Sequence, residues 1–249
     1  MIQGTTSSGS TPGVDKLSAL PDRRRSLFKQ AIGRSLRRLG YRLVPVVTPT
    51  DLVSPRIPGW FSPDEAEALY LLAAASSAKR MLEIGHFVGR STSAICEAIR
   101  DSGAIVEFNS YDLGLTTGAE FVAHYRNVYE TTSTDVPPEF EALVFSQHKT
   151  TTEVAQAHLQ RFGLDRYVNL ITGDFTLVEP SQYQLIFCDA THDLREISII
   201  LPHVMNASSD DCIWAFHDMN PANVAAVVQQ SPAWLIRVVD TLGIFRFRR

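Results

Sequence analysis

The chain has 249 residues, 45% of them hydrophobic and 20% charged, and a net charge of -4 at neutral pH. This is the composition of a soluble globular protein, one domain of ordinary size with appendages, and it gives no reason to expect a polyanion partner. No run of about 18 apolar residues is present to span a bilayer, and no apolar leader core opens the N-terminus, so a cytoplasmic protein is expected. Cys96, Cys188 and Cys212 have neither disulfide-framework nor zinc-knuckle spacing.

Residues 1–20 are rich in Ser, Thr and Gly and are expected to be flexible. Residues 21–60 form a basic helical arm: Leu27, Phe28, Ile32, Leu36 and Leu39 recur at helical spacing, and Gly40 is a natural stop. Its other face is strongly basic. It is read as a helix packed on the body or on a second subunit, with an anionic surface or an acidic acceptor as the sharper alternative.

The main domain is expected over residues 61–249. Ser62, Pro63 and Glu65 make a capping-box start for a helix reaching about residue 77. A strand follows over Arg80–Ile84, then a glycine-punctuated turn and a helix over 91–100. Strands at 106–111, 168–172, 183–188 and 212–216 end at Asp112, at Gly173 and Asp174, at Asp189, and at His217 and Asp218. Short apolar runs alternating with helical patterns predict an α/β fold: a Rossmann-like, doubly wound, mostly parallel seven-stranded sheet. Residues 235–240 and 243–247 close it as an antiparallel hairpin. The stretch 113–147 is long for a strand–helix connection. Phe121, Tyr125, Val128 and Tyr129 suit a helix that Pro137 and Pro138 break. This insertion is read as a lid, a contact in a homodimer, or a peripheral decoration.

Gly85 and Gly89 allow a sharp turn and close approach of backbone to a ligand, and the helix start after them offers free N–H groups. Glu83 is placed to take up an amine or ribose hydroxyls. A dinucleotide fingerprint would need glycine at position 87, where Phe87 stands. The pattern Glu83-x-Gly85-x-x-x-Gly89-x-Ser91 instead resembles motif I of the class I S-adenosyl-L-methionine (SAM) methyltransferases. That resemblance implies that Glu83, Gly85, Gly89 and Ser91 hold the cofactor. Asp112, after the second strand, suits the ribose hydroxyls. Asp174 suits the adenine amino group or, equally, a helix cap.

Asp189-Ala190-Thr191-His192 and His217-Asp218-Met219-Asn220 resemble the macrocin and mycinamicin type of metal-dependent sugar O-methyltransferase. The resemblance runs from about residue 81 to 218 and omits the arm and the insertion. It implies a divalent metal, magnesium, on Asp189 and Asp218, with His192 as general base and Asp189 at the reacting centre. It implies a saccharide or other polyhydroxylated small-molecule acceptor. No nucleic acid is expected, because no Asn-Pro-Pro-Tyr type motif follows the fourth strand and the basic residues form one local block rather than a broad stripe. The departure is His217, which replaces the first member of an acidic pair. His217 is either a third ligand, selecting a softer metal, or no ligand, with Asn220 supplying an oxygen instead. Metal-independent transfer and a non-catalytic, methyltransferase-like interaction module are the alternatives.

Overall fold

The computed structural model describes residues 51–129, 138–177 and 182–249. The N-terminal stretch, the basic helix of the arm and Pro137 lie outside them. Short 3-10 turns aside, the elements in order are α1 (Pro63–Ala75), β1 (Arg80–Ile84), α2 (Arg90–Ser102), β2 (Glu107–Asp112), α3 (Gly118–Tyr129), α4 (Pro138–Leu143), α5 (Thr151–Arg161), β3 (Asn169–Thr172), β4 (Tyr183–Cys188), α6 (Leu194–Ala207), β5 (Ser208–Phe216), α7 (Pro221–Gln230), β6 (Ala233–Val239) and β7 (Leu242–Phe247).

The sheet order is β3-β2-β1-β4-β5-β7-β6. Strands β1 to β5 pair in parallel, and β7 joins β5 and β6 antiparallel, as the sequence predicts. Chain order reverses between β1 and β4, and that switch point is where an open α/β sheet leaves a crevice at its carboxyl edge.

Alternation along the strands divides the core. Met81, Leu185 and Phe187 join one buried cluster; Leu82, Ile84, Ile186 and Cys188 join the other. Successive side chains point to opposite faces, so strands covered on both sides read as continuous apolar runs. Each fully buried aliphatic or aromatic side chain contributes about 1.5–3 kcal/mol.

Helix α1 begins as its sequence dictates. Ser62 Oγ accepts the Glu65 N–H at 3.2 Å, and the Glu65 carboxylate accepts the Ser62 N–H at 2.8 Å. Pro138 opens α4 rather than only ending α3, in keeping with the fixed φ of proline at a first helical turn. Phe121 and Phe140 of the insertion are buried in the core. Their rings stand 5.9 and 4.9 Å from that of Phe87 in the glycine loop. Among the described residues, no helix is long and apolar enough to cross a membrane.

Candidate active site

Hydrogen bonds continue past the strand ends and line up their tips. Gly85 N–H donates to Tyr111 O at 2.7 Å, and Asp189 N–H to Ile84 O at 2.8 Å. His217 N–H donates to Cys188 O at 3.0 Å, and Gly173 N–H to Asp112 O at 2.8 Å. A cavity of about 610 Å³ opens above this row.

Gly85 has φ +88°, and a Cβ there would lie 2.6 Å from the Asp189 carbonyl oxygen, so the turn admits only glycine without displacing β4. Asp112 fastens the loop to β2. Its Oδ2 accepts the Phe87 N–H at 2.8 Å, and its Oδ1 accepts from Gly114 N–H at 2.9 Å and Thr151 Oγ at 2.8 Å. Asp112, Asp174, Ser91, Asp189, His192, His217 and Asp218 all line the cavity. Asp174 also caps a 3-10 turn, accepting from Thr176 N–H at 2.8 Å and Thr176 Oγ at 2.7 Å. Asp174 therefore caps that turn and also lines the cavity.

Glu83 is not brought to the cavity. It shares the face of β1 that carries Met81 and turns under α2, fully buried. Its carboxylate accepts hydroxyl protons from Ser91 at 2.6 Å, Thr92 at 2.7 Å and Ser110 at 2.6 Å. Burial pushes its pKa up to about 7, against those hydrogen bonds. The role expected for it, holding an amine or ribose, is thus replaced by that of an internal brace between β1, β2 and the start of α2. Ser91 faces the cavity and serves the same brace.

Asp189, His192 and Asp218 converge: each offers a ligand atom, and these atoms lie within 4.8 Å of one another. His192 is held by Glu196, whose carboxylate accepts both the His192 backbone N–H and its Nδ1–H at 2.8 Å. That leaves Nε2 directed toward Asp218, 3.8 Å from Oδ2. Burial opposes a charge on His192, but Glu196 and the neighbouring aspartates outweigh it and raise its pKa. Burial raises the pKa of Asp218.

His217 stands outside this donor set, and its assignment as a third metal ligand is corrected. Its Nδ1 lies 2.9 Å from Asp189 Oδ1 and its Nε2 3.3 Å from Glu65 Oε2. Burial disfavours the charged ring, yet Asp189, Glu65 and Asp218 together raise its pKa to about 11. An imidazolium donating from both nitrogens has no lone pair for a metal. Asn220 is occupied as the cap of α7, its side chain accepting the Asn223 N–H at 2.9 Å.

Three participants were not assigned from sequence. The sequence marks Glu65 only as a capping residue, yet it also accepts from Thr241 N–H at 2.9 Å, Thr241 Oγ at 2.7 Å and His217. Burial alone would raise its pKa, but those donors and Ser62 hold it down at about 2. Glu196 was findable: it follows His192 by one helical turn and is capped by Asp193, whose side chain accepts its N–H at 2.8 Å. Trp60, with its ring 4.7 Å from Phe140 and 6.0 Å from Phe87, walls the cavity from the segment before α1.

A sequence model of the methyltransferase domain matches residues 82–219, and the chain belongs to that family. Solved structures share its fold. One is the O-methyltransferase TomG of Streptomyces achromogenes, involved in tomaymycin synthesis and solved in complex with SAM. It is 17% identical over 88% of this chain and 96% of that one, with a TM-score of 0.51. A methyltransferase from Geobacter sulfurreducens is 13% identical over 92% of this chain and 99% of its own, with a TM-score of 0.53. PaMTH1 of Podospora anserina, solved with S-adenosylhomocysteine (SAH), is 16% identical over 97% of this chain and 100% of its own, with a TM-score of 0.50. A search of curated proteins found no match.

Proposed function

We propose that the cavity binds SAM and transfers its methyl group to a hydroxyl of a sugar or other polyhydroxylated small molecule, with magnesium held by Asp189 and Asp218. The observation that carries this reading is the convergence of Asp189, His192 and Asp218 beside the Gly85 turn, at the switch point of the sheet. Asp112 and Asp174 suit the nucleoside, since each retains acceptor capacity beyond its internal hydrogen bonds. Glu83 takes no direct part; it keeps the glycine turn and the helix start in place.

The donor set fits the metal. Magnesium keeps several waters and takes one or two carboxylates, which Asp189 and Asp218 provide. His217 occupies Asp189 Oδ1 and leaves Oδ2 for the cation. A cation held by these two carboxylates would supply Lewis-acid activation, lowering the pKa of the reacting hydroxyl and orienting it. Glu196 keeps the proton of His192 on Nδ1, so Nε2 presents a lone pair to the acceptor. The hydroxyl oxygen forms its bond to the methyl carbon as the carbon–sulfur bond breaks. The hydroxyl proton goes to His192 Nε2, and SAH leaves. Trp60 and Phe61 offer flat apolar walls for the C–H face of a sugar ring.

A second reading, transfer without a metal, is favoured by one observation: the His217 imidazolium already sets a positive charge 2.9 Å from Asp189 and 3.6 Å from Asp218. Labelled SAM, a panel of polyols and a chelator separate the two. The metal-assisted reading predicts methylated product that vanishes with chelator and returns with magnesium. Chelator-resistant product would establish the second reading, and no product from any hydroxyl acceptor would overturn both.

A further inference from the structure

Arg90, the first residue of α2, is the only arginine or lysine lining the cavity among the described residues. Its Nη1 donates to the Ile57 carbonyl at 2.9 Å, while its Nε is buried without a hydrogen-bond partner. It forms no ion pair among the described residues. Glu65, the carboxylate whose field it feels, is already engaged by Ser62, Thr241 and His217. A Cβ on Gly59 would meet Arg90 Cδ at 3.1 Å, so the segment before α1 lies directly on the arginine stem. A half-buried guanidinium held in this way, with an orphaned N–H, is a mismatch that an anionic ligand would relieve.

The layout of the cavity indicates which anion. The nucleoside end lies at Asp112 and Asp174, and the reacting end at Asp189 and Asp218. The third arm of a sulfonium donor, its amino acid, is left the stretch between Gly85 and Ser91, where α2 begins and its first N–H groups lack intrahelical acceptors. We propose that Arg90 is the subsite for the carboxylate on the amino-acid arm of the methyl donor. This rests on the reading that the cavity binds SAM.

The test compares calorimetric binding of SAH and of its decarboxylated analogue, which differs only in lacking the carboxylate. Wild-type protein is expected to prefer SAH by roughly tenfold to a hundredfold, the range for hydrogen bonds to a charged group. Arg90→Met should abolish that preference, weakening SAH while leaving the analogue within about twofold, which would also show the site to be intact. Equal loss for both ligands, or unchanged SAH affinity as a carboxylate on the acceptor would give, overturns the proposal while leaving the SAM reading standing. Should Arg90→Met bind neither ligand, Arg90→Gln, which retains a donor for the Ile57 carbonyl, decides: loss confined to SAH supports the subsite, and equal or no loss overturns it. Wild-type protein that binds neither ligand would remove the SAM reading and this subsite together.

Discussion

Asp218 adopts φ +56°, a left-handed conformation that costs a non-glycine residue of order 1 kcal/mol or more and that gathers at functional sites. Asparagine tolerates this backbone, so Asp218→Asn removes the charge without adding strain. We expect turnover to fall by roughly a hundredfold or more, with SAH affinity preserved within about threefold. Lost SAH binding with intact turnover would show that the site is divided wrongly. The motif around Asp218 was legible because strand ends are local features. Side-chain direction was legible in principle for Glu83: it stands one residue short of the end of β1, and alternation puts it on the face of Met81, which is covered, rather than at the strand tip. The charge on His217 was not legible, since it arises from Asp189, Glu65 and Asp218 together, which only the folded sheet gathers around the ring; Glu65 is 152 residues away in sequence.

At the scale of elements, the start of α1 does more than begin a helix. The Glu65 carboxylate joins the cap of α1, the turn between β6 and β7 through Thr241, and His217 at the tip of β5. Glu65→Ala would leave Nε2 of a buried imidazolium and two donors of Thr241 unanswered, while Asp189 and Asp218 still face Nδ1. We expect a loss of about 3–5 kcal/mol in denaturant unfolding, the range for breaking one side of a buried pair. Ser62→Ala, which removes the cap and an exposed hydrogen bond from Ser62 Oγ to Asp240 Oδ2, should cost about 1 kcal/mol. Equal losses would mean that Glu65 acts through the cap alone. The capping box could be read because its partners are three residues apart. The two further partners of Glu65 could not, because only the folded sheet brings them near. The insertion illustrates the same limit. Phe121 suggested a helix, but its packing on Phe87 and Phe145 depends on loop geometry that periodicity does not encode.

For the whole molecule, the strand pattern carried the fold, because a sheet covered on both faces leaves apolar runs with acidic residues at their ends. Buried charge then sets the pH dependence of its stability. Glu83 keeps its proton to about pH 7 when folded, against 4.5 in the unfolded chain. Its contribution is complete below pH 4.5 and is lost as pH rises through 7, about 3 kcal/mol in all. His217, raised from 6.5 to about 11, loses its own contribution only above pH 6.5. Glu65, lowered to about 2, acts below pH 4.5 in the opposite sense. Glu83→Gln should therefore flatten the fall in unfolding free energy between pH 4.5 and 6.5; an unchanged slope would place the titration elsewhere.

The central claim is that the turn at Gly85 receives a sulfonium donor or its demethylated product. Calorimetric titration of the full chain with SAH, for wild type and for Gly85→Val, tests it most directly. The wild type is predicted to bind one equivalent, and the valine side chain, forced against the Asp189 carbonyl, to abolish the heat of binding while the chain remains folded. No binding by the wild type, or undiminished binding by the folded variant, would contradict it.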